Sequence, residues 1–344
     1  MARRPTIIDV AQLAGVSKTT VARVVSGEDA LVRPETRQRV LDAIAQLGYE
    51  RNAVAGSLRT DRTFMIALSI PDIMNPFWPE VARGVQDTVE ASGYTIALLN
   101  SDWSMARERQ HLSTVRRNHF DGLILNPMAV SNADLLALQI PVIVLGSGSE
   151  YPDFDAVGSD SDAAVHLAMA HLFALGHRRI GLIDGLSQRP RPRQRYSCYV
   201  AFHQQQGLPL DETLVVGCPF SQEAGARAMT HLLSLEQPPT AVCAADDILA
   251  IGALMAAREM GVNVPEAVSV IGIDDIYAAA ATNPPLTTVA KPKYDIGVGA
   301  ARFLLERIDA EGPEERRHVR LACELVQRGS TAPPADVGAQ GGGA

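Results

Sequence analysis

With 344 residues, 20% of them charged and 47% apolar, the chain has the material for a large core and more than one domain of a soluble globular protein. Its formal net charge of −8 is unevenly spread: residues 1–62 hold ten Arg or Lys against seven Asp or Glu, a net +3, which leaves −11 for the remainder. A basic N-terminal end on an acidic body confines phosphate affinity to one module and discourages the rest from lying on nucleic acid.

The first elements in chain order are short helices. Thr6 and Asp9 form a capping-box-like start, and Val10, Leu13 and Ala14 keep helical spacing after it. Gly15 permits a tight turn, Val16 plugs the angle between helices and Ser17 caps a second helix. On that second helix Val21, Val24 and Val25 point inward, leaving Lys18, Thr19 and Arg23 outward. Two short helices joined by a Gly turn, the second with a polar and basic outer face, form a helix-turn-helix that presents side chains to a DNA major groove. Pro34 opens a third helix through Leu47, on which Val40, Leu41, Ile44 and Leu47 close a small core; Gly48 ends it and Tyr49 packs back. These elements make an all-α headpiece over residues 1–50.

The stretch resembles the headpiece of the lactose/galactose repressor family of bacterial transcription regulators through Thr6, Asp9-Val10-Ala11, Ala14-Gly15-Val16-Ser17, Thr20-Val21 and Arg23-Val24. The family usually has Ser where this chain has Ala22, so one hydroxyl is absent. The resemblance implies DNA contacts from Thr6, Ser17, Lys18, Thr19, Thr20 and Arg23. It also implies that residues 51–62 are a hinge helix and linker, capped by Asn52, with Leu58 as an apolar wedge in the minor groove. Gly56 stands where the family often has Arg, which makes that helix easier to melt.

From Thr63 short apolar strands alternate with helices: Phe64–Ile70, Tyr94–Leu99, Gly122–Leu125 and Val142–Leu145 as strands, with helices over Val81–Ala91, Met105–Asn118 and Asp134–Leu138 between them. A second series follows, with helices Asp162–Leu175, Arg193–Gln206, Gln222–Leu235 and Ile248–Met260 and strands Ile180–Ile183, Leu214–Val216, Ala241–Ala244 and Val268–Ile271. Buried strands joined by crossover helices mean doubly wound parallel sheets, here two α/β lobes. Pro292–Ile308 and a last strand near Val319–Val326 are expected to return to the first lobe. The expected core is thus 63–330, with a first lobe of about 63–160 plus 292–325, a second of about 161–291, and a disordered Gly/Pro/Ala tail from 331 to 344. The family likeness extends through Asn75-Pro76-Phe77, Leu175-Gly176-His177, Ala250-Ile251-Gly252-Ala253-Leu254, Gly272-Ile273-Asp274-Asp275, Pro285-Leu286-Thr287-Thr288-Val289 and Arg328-Gly329-Ser330. It implies the clamshell of periplasmic binding proteins.

Ligands of such sheets bind beyond the carboxyl ends of the strands, between the lobes. Phe77 and Trp78 follow the first strand as stacking surfaces, and Phe220, Asp246 and Asp274 follow three later ones. Arg195 and Asp274 match the family's effector-gripping pair by position. The alternation Arg189, Arg191, Arg193, Arg195 favours an anionic, sugar-like effector such as a sugar phosphate or sugar acid. Gly146 replaces the acid that many sugar-binding relatives carry after the Val142–Leu145 strand.

Competing readings find less support. Gly297-Val298-Gly299-Ala300-Ala301-Arg302 mimics a dinucleotide loop but lies in a helical stripe, and Gly146-Ser147-Gly148-Ser149 opens into no helix. His166, His171 and His177 lack metal spacing, and Cys198, Cys218, Cys243 and Cys323 lie far apart, as reduced cytoplasmic thiols do. No apolar run is long enough for a membrane and no signal-peptide core follows Met1–Pro5. The reading is a cytoplasmic, nucleoid-associated repressor that is not an enzyme and needs no cofactor or metal. It binds a palindromic double-stranded operator as a homodimer and is released by a small-molecule inducer. The alternative is a corepressor-dependent regulator that takes a nucleobase-like or phosphorylated metabolite.

Overall fold

A computed structural model describes residues 5–27, 32–49, 62–185, 194–310, 312 and 315–335. Residues up to Phe64 form one unit and those from Met65 another.

In the first unit, α1 (Ile7–Ala14) starts at a reciprocal capping box. The Asp9 carboxylate accepts from the Thr6 amide at 2.7 Å, and the Thr6 hydroxyl accepts from the Asp9 amide at 3.4 Å. Gly15, at φ +62°, ends that helix, and Ser17 caps α2 (Lys18–Ser26) by accepting from the Thr20 amide at 3.1 Å. Helix α3 (Pro34–Leu47) closes the bundle around Val10, Ala11, Ala14, Val21, Val24, Val40 and Ala43, with Val16, Val25, Leu41, Ile44, Leu47 and Tyr49 packed against them. Leu13 departs from expectation: it is 46% exposed. At 100° per residue it lies about 110° round the helix from the centre of the stripe that Ile7, Val10, Ala11 and Ala14 bury.

The second unit holds two six-stranded sheets. The first has the order β11-β5-β4-β3-β1-β2, built from β1 (Met65–Ile70), β2 (Thr95–Asn100), β3 (Gly122–Leu125), β4 (Val142–Leu145), β5 (Asp155–Ser159) and β11 (His318–Leu321). The second has the order β12-β10-β9-β8-β6-β7, from β6 (Ile180–Gly185), β7 (Val215–Cys218), β8 (Ala241–Ala244), β9 (Ser269–Asp274), β10 (Thr287–Ala290) and β12 (Glu324–Val326). All neighbours are parallel except β12, which runs antiparallel to β10. The first sheet is covered by α4 (Phe77–Glu90), α5 (Met105–Arg117), α6 (Asn132–Leu136) and α11 (Lys293–Asp309). The second is covered by α7 (Ser161–Ala174), α8 (Gln194–Gln206), α9 (Gln222–Leu233) and α10 (Asp247–Glu259).

Each lobe contains one helix pair that crosses at backbone contact. A Cβ on Gly84 of α4 would sit 2.2 Å from the Tyr294 carbonyl oxygen, and one on Gly297 of α11 2.1 Å from that of Val81. In the second lobe a Cβ on Gly225 of α9 would lie 2.3 Å from the Leu249 oxygen, and one on Gly252 of α10 2.0 Å from the Gln222 oxygen. The glycines of the dinucleotide-like stretch therefore include a packing residue: Gly297 lets α11 onto α4. Gly252→Ala is expected to cost at least about 1–3 kcal/mol, because the atoms in the way are backbone and cannot swing aside. Equilibrium urea unfolding, with the slope unchanged, measures it.

Three differences from the expected layout stand out, and two of them come from polar residues hidden in structural roles. Strand β5 has no counterpart in the expected layout because Asp155, Gly158 and Ser159 interrupt its apolar run. Asp155 is nevertheless buried, held by Arg307 at 2.7 and 2.9 Å, the Arg317 amide at 2.8 Å and the Arg317 guanidinium at 3.3 Å. The single strand expected near Val319–Val326 is two, β11 and β12, on different sheets, so the chain re-enters the second lobe before its end. Residues 331 and 332 are not tail. Thr331 is buried and its hydroxyl meets that of Thr287 at 3.2 Å and His171 Nε2 at 2.9 Å, while the Ala332 carbonyl meets His177 Nε2 at 2.9 Å and accepts from the Ser269 hydroxyl at 3.0 Å.

Candidate functional site

On α2 of the headpiece, Val21 and Val24 face the bundle, and Lys18, Thr19 and Arg23 are exposed on the other side. Ser17 and Thr20 share a hydroxyl–hydroxyl hydrogen bond of 2.9 Å at the head of the same helix. Their polar atoms and the first amides of α2 therefore lie together, as phosphate-contacting groups at a helix N-terminus do. Thr6 is engaged in the α1 cap, where its hydroxyl donates to Asp9 at 2.7 Å. Asn52 and Leu58 lie outside the described residues.

In the second unit a cleft of about 1070 Å³ opens beyond the carboxyl ends of both sheets. Asp246 caps α10 by accepting from the Leu249 amide at 2.8 Å, and Asn75 Nδ2, from the turn after β1, approaches its other oxygen at 3.5 Å. This contact joins the two lobes. Asp274, at the end of β9, pairs with Lys291 Nζ at 3.0 Å, both side chains being only 6% exposed. Lys293 Nζ ties the same corner by donating to the Asp274 and Asp275 carbonyls at 2.8 Å. Burial, and then the Asp274 carboxylate beside it, pushes Asp246 above the usual carboxylate range. Asp247, one residue on, is raised by the same two causes, while it accepts from the Ile276 amide at 2.9 Å.

Aromatic rings form the other wall. Lys291 Nζ lies 5.5 Å from the centroid of Phe77, and the Arg195 guanidinium 5.6 Å from that of Phe220. Phe220 occupies its place because residue 185 is glycine: a Cβ there would come within 2.1 Å of the ring. Arg195, Phe220, Asp246, Asp274 and Phe77 are thus brought into one cleft. Trp78 also touches it, but at 8% exposure it is mainly a core residue of the first lobe, edge-on to Phe77 at 4.9 Å. Arg189, Arg191 and Arg193 lie outside the described residues.

Three contributors escaped the sequence reading: Asn75, Trp103 and Lys291. Trp103 carried a usable signal, since it follows the carboxyl end of β2 as Phe77 follows that of β1. Lys291 carried none, because its role depends on lying opposite Asp274. The indole N–H of Trp103 is buried with no acceptor among the described residues. Among the described residues no helix is long and apolar enough to cross a membrane, and no group of three His, Cys, Asp or Glu could hold a metal ion.

A helix-turn-helix unit followed by a two-lobed parallel-sheet core with a polar cleft defines a DNA-binding regulator with a ligand-binding domain. Residues 6–52 match the bacterial regulatory proteins of the lacI family, and residues 169–331 match a periplasmic binding protein-like domain. The chain is 33% identical over 336 residues to the HTH-type transcriptional regulator DegA of Bacillus subtilis, covering 96% of this chain and 99% of that one. It is 35% identical over 333 residues to the HTH-type transcriptional repressor PurR of Pectobacterium carotovorum, covering 95% and 97%. Among solved structures, a LacI family transcriptional regulator from Enterococcus faecium with bound ribose superimposes with a TM-score of 0.71 at 31% identity, over 78% of this chain and 99% of that one. The chain belongs to the lacI family of bacterial regulatory proteins.

Proposed function

We propose that this protein is a repressor that binds a palindromic operator as a homodimer and is released when a small, hydroxyl-rich effector occupies the cleft. The observation that carries the DNA side is the exposed row Lys18, Thr19 and Arg23 on a helix whose opposite face is buried. A palindromic site needs two headpieces related by a twofold axis, which a homodimer supplies. Domain roles follow the expected division: residues 1–50 read DNA, 51–62 connect, and the core from 63 onward binds effector and dimerises.

On the effector side, described carboxylates outnumber cations in the lining. Glu150, Asp162, Asp184, Asp246 and Asp274 stand against Arg195, Lys291 and Arg320, and Lys291 and Asp274 occupy each other, which leaves four carboxylates against two guanidiniums. That balance favours a neutral ring bearing hydroxyls over a phosphate or an acid, with Arg195 and Asp274 as hydrogen-bonding partners and Phe77 and Phe220 against its apolar faces. The relative with bound ribose fits this class. An anionic effector would draw on Arg189 and Arg191.

Arg23→Ala tests the DNA-reading assignment. Selection from a randomised duplex pool should return a site that the parent prefers strongly, with the variant losing about 1–3 kcal/mol of discrimination at one base pair. Unchanged selectivity in Arg23→Ala would remove Arg23 from the base-reading set.

A further inference from the structure

Among the described residues the two sheets are joined by chain at one side only. The crossovers between lobes leave from β5, β10 and β11, strands at or next to the ends of the sheets that also carry β12. The opposite ends are β2 and β7, and among the described residues no crossover between the sheets lies there. At that side Trp103, which follows β2, and Phe220, which follows β7, stack with ring centroids 5.0 Å apart and planes within 12° of parallel. The contact spans the lobes at the side farthest from the crossovers, where a given rotation about them produces the largest displacement.

Local structure aims Trp103 there at some cost. Asp102 and Trp103 are consecutive non-glycine residues at φ +47° and +57°, a conformation that a bulky side chain seldom adopts. Several bonds hold it: the Trp103 amide donates to the Pro71 carbonyl at 3.1 Å, the Ser101 amide to that of Ile70 at 3.0 Å, and the Asp102 carboxylate accepts from Asn100 Nδ2 at 2.5 Å and from Arg107. A strained residue pinned this firmly serves a position, not a core. Trp103 belongs to none of the clusters that form the lobes' cores. At 5.0 Å between centroids the rings leave no room for a ligand ring between them.

We propose that the Trp103–Phe220 stack is a clasp that ties the two lobes together at this side, so that they move apart here only when the rings separate. Arg195, near the Phe220 ring, and Gly185, which makes space for it, belong to the same device. The clasp makes Trp103 a positioning residue for effector binding, acting through lobe closure.

The test needs neither DNA nor effector, so its failure would leave the regulator reading standing. The full chain is labelled with 5-fluorotryptophan, which gives two fluorine resonances, one each for Trp78 and Trp103, assigned with Trp103→Phe. In the parent the Trp103 resonance should carry a ring-current shift that disappears in Phe220→Leu, with an increase in radius of gyration by small-angle X-ray scattering. Should Phe220→Leu fail to fold, Gly185→Ala displaces the same ring with a single methyl. A Trp103 resonance that does not respond to either change, or a radius of gyration that stays constant while the shift is lost, overturns the clasp.

Discussion

In an Arg195→Ala protein, the rise in melting temperature that an effector produces is expected to vanish, while affinity for the selected operator stays at the parent value. A ligand at a hundred times its dissociation constant stabilises the folded state by about 2.7 kcal/mol. A screen of ribose, cellobiose, other neutral sugars, sugar phosphates and sugar acids by thermal melting therefore registers both the ligand and its loss. Arg195 is the cationic group that approaches Phe220, and its field also reaches Asp246. Alanine removes the fork that orients ligand hydroxyls and leaves the lobes' cores intact. A variant that still shifts fully with the same sugar would move the grip elsewhere in the cleft. A parent that responds only to sugar phosphates or acids would return the effector to the anionic class.

Asp155→Ala is expected to lower the stability of the core by about 3–5 kcal/mol, the cost of removing one partner from a buried ion pair and stranding the other. Asp155 is fully buried and the Arg307 side chain 7% exposed, so the guanidinium would remain without its carboxylate in a dry site. Burial by itself would raise the Asp155 carboxyl. The Arg307 hydrogen bonds, the Arg317 amide and the Arg307 charge override it and hold the group below its ordinary value. A depressed carboxyl contributes stability above the unfolded pKa of about 3.9 that is lost as pH falls through the folded value. The parent should thus lose part of its stability below about pH 4, and Asp155→Ala should show a flatter acid limb. Urea midpoints at several pH values measure both; an alanine variant as stable as the parent would show the pair to be dispensable.

What could be read from the chain alone follows from range. The caps at Thr6 and Ser17, the turn at Gly15 and the inward stripe of α2 are local, and each appears in the structure as its residue type dictates. Buried parallel strands such as β3 and β4 announce themselves as unbroken apolar runs. The cleft was legible to the extent that it obeys the strand-end rule, which placed Phe77, Arg195, Phe220, Asp246 and Asp274. What escaped depends on partners distant in sequence. Asp155 reads as a loop residue until Arg307 and Arg317 arrive beside it, 152 and 162 positions later. Lys291 acquires meaning only opposite Asp274, and Gly297 reads as a phosphate loop until α4 is laid against it.

The return of β11 and β12 has a consequence for how the protein is made. Neither sheet is complete until residues 318–326 have been synthesised, and the hydrogen bonds to Thr331 and Ala332 come later still. At about 5–20 residues per second, tens of seconds separate emergence of the headpiece from that of these last strands. Within that interval β5, and later β10, present open edges from their own synthesis until β11 and β12 arrive, the kind of surface on which strands of other chains add. A ribosome that stops shortly before residue 318 would therefore release a polypeptide with its DNA-reading helices intact and both lobes unfinished, a form suited to aggregation and rapid proteolysis.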